Sequence, residues 1–221
     1  MTKKRTQKKV FPRLVIKACD IHGIYALTPD TLDTTELLRL ANQALLGGVR
    51  VLQYRNKLAD GTLKLAQAQA LRKLTYEFGV VFIVNDDAQL AARVDADGVH
   101  LGKADGETKV ARTILGANKL IGVSCYNQMQ SACNAVQAGA DYVAFGAFFS
   151  SSVKPEAPVA SLYLLIEARA KLNVPIVAIG GIDEVNGAAL VKAGANALAV
   201  ISGIFGAADV QLAAKNLVKL Y

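Results

Sequence analysis

Eight short aliphatic runs, most of them followed by a segment of helical length, constrain this chain more than any single motif does. They fall at residues 24–27, 49–53, 80–84, 98–101, 120–124, 142–145, 176–179 and 197–201. Between them, apolar residues recur at three- and four-residue spacing, the period of a helix with one buried face. Residues 62–78 are an example, with Leu63, Ala66, Ala70, Leu74 and Phe78 ending at Gly79, a helix stop. The C-terminal piece repeats the pattern with Val210, Ala214, Leu217 and Tyr221. Strands that alternate with helices make βαβ units and a parallel sheet. An open, doubly wound sheet should carry a G-x-G-x-x-G turn after its first strand, and this chain has none. Eight units in 221 residues therefore predict an α/β fold, a single closed (β/α)8 TIM barrel over 21–221 behind a basic tail at 1–20.

Composition agrees with buried parallel strands. The chain is 52% hydrophobic but only 6% aromatic, with no Trp, so its core must be aliphatic. Gly47-Gly48-Val49-Arg50, Gly139-Ala140-Asp141-Tyr142 and Gly194-Ala195-Asn196-Ala197 echo one another where a helix gives way to a strand. The net charge of +7 is uneven. Lys3, Lys4, Arg5, Lys8, Lys9, Arg13 and Lys17 crowd the first 17 residues; without these seven, the 18 remaining cations equal the 18 acidic residues. The body is neutral, and the tail reads as a solubilising end rather than a nucleic-acid arm, because no basic stripe with interleaved aromatics continues from it. No apolar run is long enough to span a bilayer, and the basic start lacks the apolar stretch of a signal peptide. Cys19, Cys125 and Cys133 have neither metal nor redox spacing. A cytoplasmic enzyme is the expectation.

A barrel places chemistry at the C-terminal ends of its strands, and the unusual polar residues share that address. The second strand runs out through Gln53, Arg55 and Lys57, whose alternate spacing puts them on one face. Arg with Lys suits a multiply charged anion, although a solvated strand end reads the same way. Asn85, Asp86 and Asp87 follow the third strand; Asn85 and Asp86 could cap the next helix, or Asp86 and Asp105 could share a Mg²⁺. The metal is favoured, because Arg55, Lys57 and Lys154 already point to a polyphosphate. Ser124 ends the fifth strand, and Ser151 and Lys154 lie in the loop after the sixth. His100 reads as a packed, hydrogen-bonded histidine rather than a base, and Cys125 and Cys133 as small buried hydrophobes. Gly180-Gly181 and Ser202-Gly203 follow the last two strands, where barrels build a monophosphate cradle from backbone N–H groups; tight turns alone would also use glycine there.

With these pieces in order, the chain resembles the thiamine phosphate synthase family over roughly residues 23 to 205. The matching segments are GIYALT at 23, QYRNK at 53, VNDD at 84, DGVHLGKAD at 97, IGVSC at 121, GADYVAFGAFF at 139, VPIVAIGGI at 174 and AVISGIF at 199. The resemblance implies coupling of 4-amino-2-methyl-5-hydroxymethylpyrimidine diphosphate to thiazole phosphate with release of pyrophosphate, and these small molecules as partners. It implies Arg55, Lys57, Asn85 and Lys154 on the diphosphate and Mg²⁺ on Asp86 and Asp105. Gln53 and Tyr25 would line the pyrimidine site, Ser124 would lie near its amino group, and Gly181, Ile201 and Ser202 would cradle the thiazole phosphate. Two departures stand out. Asp87 takes a place where the family often has Arg, and would add a carboxylate beside the metal. The usual Thr-x-Thr-Lys reads Ser151-Ser152-Val153-Lys154 here. Two alternatives are a thiazole tautomerase-like phosphate-binding barrel and a non-catalytic barrel with a nucleic-acid-binding tail. The first would not need the joint presence of Gln53, Arg55, Lys57, Asp86 and Asp105. Self-association into a homo-oligomer is left open.

Overall fold

A computed structural model describes residues 16–102, 107–150 and 159–221. Eight parallel strands close on themselves: β1 (Gly23–Leu27), β2 (Val51–Tyr54), β3 (Val81–Asn85), β4 (Gly98–Leu101), β5 (Leu120–Tyr126), β6 (Tyr142–Gly146), β7 (Ile176–Ile179) and β8 (Ala197–Val200). β1 pairs with both β2 and β8, with Gly23 opposite Ala197, so no sheet edge is left unpaired. Helices α1 (Thr34–Leu46), α2 (Gly61–Phe78), α3 (Ala88–Arg93), α4 (Thr108–Leu115), α5 (Met129–Gln137), α6 (Leu162–Lys171) and α7 (Gly187–Lys192) connect the strands. A short α8 (Ser202–Phe205) and a final α9 (Val210–Val218) follow β8. The eight predicted strands all form, and the tail up to residue 15 lies outside the described residues.

Period-two alternation sorts the strand residues into two cores. Ile24, Ala26, Leu52, Val99, Ile121, Val143 and Phe145 face the helix layer. Tyr25, Leu27, Val51, Ile83, Leu120, Tyr142 and Ala199 fill the barrel interior, plugged from below by Ile21, which has no exposed surface. Among the described residues no helix is long and apolar enough to cross a membrane.

The repeated helix-to-strand phrases have a mechanical meaning. Their glycines, Gly48, Gly139 and Gly194, take φ of 97°, 95° and 112°, where an L side chain is strained. Two of the phrases then supply a clamp: Asp141 Oδ2 accepts from Ile121 N (2.7 Å) and Asn196 Oδ1 from Ile176 N (2.9 Å). Asp97, ahead of β4, does the same to Phe82 N (2.9 Å). Each even strand from β4 on, β4, β6 and β8, therefore pins an N–H near the start of the strand before it, except that the equivalent place before β2 is Arg50.

Helix α2 starts on an Asp60 cap, with Oδ1 accepting from Leu63 N at 2.8 Å, and stops at Gly79 with φ 65°. Its buried stripe is not the predicted one. Gln67, Ala68, Leu71 and Thr75 are buried, whereas Ala66 and Phe78 are exposed. The cause is Gln67, a polar residue that the apolar period overlooks; its Oε1 accepts from Tyr54 OH (2.8 Å) and Asn56 Nδ2 (2.9 Å), turning the helix by about one position. On α9 the predicted Val210, Ala214 and Leu217 are buried, whereas the predicted Tyr221 lies past the end of the helix and is exposed.

Candidate active site

A cavity of about 200 Å³ opens at the C-terminal end of the barrel. Tyr25, Gln53, Arg55, Lys57, Asn85, Asp86, Ser124, Gly181, Ile201 and Ser202 all line it. These ten residues are 177 positions apart at the extremes, and barrel closure brings them to one mouth. Ser151, Lys154 and Asp105 lie outside the described residues.

The strand-two segment is arranged differently from its prediction. β2 ends at Tyr54, so Arg55 and Lys57 leave on a loop rather than a strand. The alternation nevertheless persists. Gln53, Arg55 and Lys57 face the cavity, while Tyr54 and Asn56 turn outward onto Gln67. The loop is held from β1's side. Thr28 Oγ1 donates to Arg55 O and accepts from Arg55 N, both at 2.9 Å. Asp30 receives Arg55 Nη1 at 2.9 Å and Lys57 N at 2.8 Å. Nothing in the composition of the Thr28–Asp30 stretch announces this support; only its place after β1, next to β2, could have.

Of the three polar residues Asn85, Asp86 and Asp87, with which β3 ends and α3 begins, Asp87 is the helix cap, its Oδ1 accepting from Leu90 N at 2.8 Å. The carboxylate expected beside the metal is thus turned to the α3 backbone. Asp86 takes φ 64°, donates its backbone N–H to His100 O (2.8 Å), and lines the cavity beside Asn85. A bulge between Ser124 and Tyr126 turns β5 at its end. It sends Cys125 into the helix layer and brings Tyr126, not singled out in the sequence, to the cavity wall.

Below the mouth runs a string of hydrogen bonds across the interior. Gln53 Nε2 donates to Tyr25 OH (2.7 Å), and the Tyr25 and Tyr142 hydroxyls are 3.0 Å apart. Tyr142 OH lies 3.2 Å from His100 Nδ1, and His100 Nε2 lies 2.9 Å from Ser124 Oγ. His100 is the packed histidine its context predicts, and burial pulls its pKa down to about 4. Burial also pushes the Tyr25 and Tyr142 phenols well above their ordinary range. None of these groups is charged near neutral pH. Among the described residues, Gln53 Oε1 is the one buried side-chain polar atom with no hydrogen-bond partner.

Gly180 and Gly181 have φ of 106° and 61°. A Cβ on Gly181 would collide with the backbone of Phe149 and Ser150, so glycine is needed for the packing of the two loops whatever the ligand.

A closed parallel barrel with a cationic, hydrogen-bonding pocket at its C-terminal mouth defines a (β/α)8-barrel enzyme. The sequence model of the thiamine monophosphate synthase family matches residues 24–204, and the chain belongs to that family. It is 50% identical over 201 residues to the thiamine-phosphate synthase of Methylobacillus flagellatus, covering 91% of this chain and 96% of the relative. It is 53% identical over 189 residues to that of an Azoarcus species, covering 86% and 92%. A thiamine phosphate pyrophosphorylase from Pyrococcus furiosus superimposes with a TM-score of 0.82 at 33% identity, covering 92% of this chain and 96% of that one. A 3-hexulose-6-phosphate synthase, at a TM-score of 0.68 and 22% identity, shares the fold. The activity is that of thiamine-phosphate synthases, transferases of thiamine synthesis acting on small molecules.

Proposed function

We propose that the mouth pocket binds the pyrimidine diphosphate and thiazole phosphate together, and that its two walls divide them. The observation that carries this is the convergence of Arg55, Lys57, Asn85 and Asp86 on one side of a cavity whose other side is Gly181, Ile201 and Ser202. In this reading Arg55, Lys57 and Asn85, with Ser151 and Lys154 from the loop after β6, hold the diphosphate. Gln53, Tyr25 and Ser124 take the aminopyrimidine. The thiazole phosphate sits against the turns after β7 and β8, where barrels commonly place a phosphate beside a short extra helix such as α8.

The donor set suits Mg²⁺. That ion binds through one or two carboxylates plus substrate phosphate oxygens and keeps several waters. Asp86 supplies one carboxylate at the mouth beside the two cations, and Asp105 is the proposed second. Among the described residues no group of three His, Cys, Asp or Glu forms a protein-only cage. When bound, Mg²⁺ would neutralise charge on the phosphate oxygens. The described cysteines, Cys19, Cys125 and Cys133, are free thiols, which agrees with a cytoplasmic setting.

The reaction asks little acid–base work of the protein. The C–O bond between the pyrimidine methylene and the diphosphate breaks, with its electron pair leaving on pyrophosphate. The aminopyrimidine ring shares the positive charge left behind, and the thiazole nitrogen lone pair forms the new C–N bond. No proton need be removed from the reacting atoms, so a pocket whose His100 is neutral and buried loses nothing. Arg55 and Lys57 stabilise the charge growing on the leaving group.

Pyrophosphate release by the purified protein, given both substrates with and without Mg²⁺, tests the proposal alongside Lys57→Ala. Release should require both substrates and the metal, and the variant should lose about 10²-fold or more, the usual effect of removing one charge-stabilising group. Thiazole phosphate binding without release would move the site to the tautomerase-like reading.

A further inference from the structure

The string under the mouth has a direction. Each phenol and the serine has one proton, so fixing one donor fixes the next. Tyr25 oxygen accepts from the Gln53 amide, which leaves its own proton for Tyr142. Tyr142 then has its proton for His100 Nδ1, which must be the bare nitrogen. The ring proton then sits on Nε2 and goes to Ser124 Oγ, which leaves the proton of this cavity-lining serine free for another acceptor. At the other end stands Gln53 Oε1, buried and unpartnered.

We infer that Tyr142 and His100 are positioning residues that hold this direction, with His100 as its Nε2–H tautomer, so that Gln53 offers the ligand an acceptor and Ser124 offers it a donor. The opposite direction either leaves the buried Tyr25 proton without an acceptor or requires the Gln53 amide to be turned over. The buried orphan would then be an N–H instead of a carbonyl oxygen, and orphaned N–H groups are the rarer in folded proteins. The relay is also built into the backbone. Gly122 lies on β5 beside Tyr142, and a Cβ there would collide with the phenol ring, so the absence of a side chain makes the room that aims the hydroxyl.

A heteroaromatic ring with an exocyclic N–H and a ring-nitrogen lone pair complements the two ends. An aminopyrimidine has both, whereas its oxo counterpart presents a carbonyl and a ring N–H. The chemistry of the string does not depend on the proposed substrates; only the naming of the ring rests on that reading.

Ring ¹⁵N spectra of the histidine, recorded near neutral pH without substrate, test the direction. Chain positions 22 and 100 hold the two histidines, so His22→Gln leaves one signal set. Nε2 should give the protonated, pyrrole-type signal and Nδ1 the bare, pyridine-type signal. A pyrrole-type Nδ1, alone or with Nε2, would overturn the inference. Tyr142→Phe keeps the ring against Gly122 and removes one hydroxyl. It should mix the tautomers and raise KM for the pyrimidine diphosphate about tenfold, the equivalent of one hydrogen bond, leaving kcat and KM for thiazole phosphate unchanged. Unaltered ring signals with unaltered KM would reduce Tyr142 to packing. Should that variant not fold, the wild-type spectrum still decides. A wild type that releases no pyrophosphate overturns the synthase site but not the tautomer.

Discussion

The two ends of the barrel use the same residue types in opposite ways. At the N-terminal end Asp97, Asp141 and Asn196 each accept a backbone N–H of the preceding strand. Asp97 and Asp141 also pair with Arg72 (3.0 Å) and Arg112 (2.6 Å). Every one of these groups is matched inside the fold. At the C-terminal end Gln53 keeps a buried oxygen unmatched, and two cations stand at an open cavity. A buried polar group costs free energy unless it is paired. The lower end lowers that cost with protein partners, and the upper end leaves part of it for a ligand to offset. Conserving one end protects the fold and conserving the other protects the reaction, so substitutions should separate the two.

The largest separation is expected at Asp97. It is 7% exposed and serves both Phe82 N and Arg72, so Asp97→Ala leaves an N–H and a half-buried guanidinium without their acceptor. Breaking such a pair by removing one partner costs about 3–5 kcal/mol. For a chain of this length that is a fall in Tm of roughly 6–20 °C, readable by calorimetry. The fraction that remains folded should keep its kcat/KM, because the clamp lies at the far end of the barrel from the cavity. A variant with normal Tm and impaired turnover would erase the division.

Acid should act on the upper end. His100 is held at a pKa of about 4 by burial, against 6.5 for an exposed imidazole. The unfolded chain therefore binds the proton more readily between those values. The contribution of a neutral His100 is fully present above about pH 6.5 and is lost as pH falls toward 4, amounting to about 3 kcal/mol over the interval. Urea midpoints measured in metal-free buffer across this window should fall with pH. Asp97→Ala should lower the midpoint at every pH in the window, since the two sites have no partner in common. A flat profile would show that folded His100 takes up its proton as readily as an exposed imidazole does.

The same contrast explains what could be read from the sequence. The barrel was legible because strand and helix periods are local, and all eight runs lie within about two residues of their strands. The pocket was legible because strand ends share an address. What escaped was polar and non-local. Gln67 rotated α2 because a glutamine does not enter an apolar count, yet three hydrogen bonds hold it buried. Asp87 capped α3 rather than turning to the mouth, because cap geometry is set by where the helix begins. The string from Gln53 to Ser124 joins residues 117 and 42 positions apart through Tyr142, contacts that exist only once β6 closes the barrel.

Asp30 gives the smallest and sharpest test, because it is a matched group at the unmatched end. It faces Arg55 with 30% of its side chain exposed and also receives Lys57 N–H, so it aims both cations while competing with a bound anion for one of them. Asp30→Asn keeps an oxygen for the Lys57 N–H and removes the charge. If aiming outweighs competition, KM for the pyrimidine diphosphate should rise about tenfold, since a charge-assisted hydrogen bond to Arg55 is worth about 1.5 kcal/mol. Because the pair is partly exposed, Tm should move by only a degree or two. A fall in KM would instead make Asp30 a guard that the diphosphate displaces, and would extend to Arg55 the rule that Gln53 already follows: at this end of the barrel, a polar group is finished by what binds.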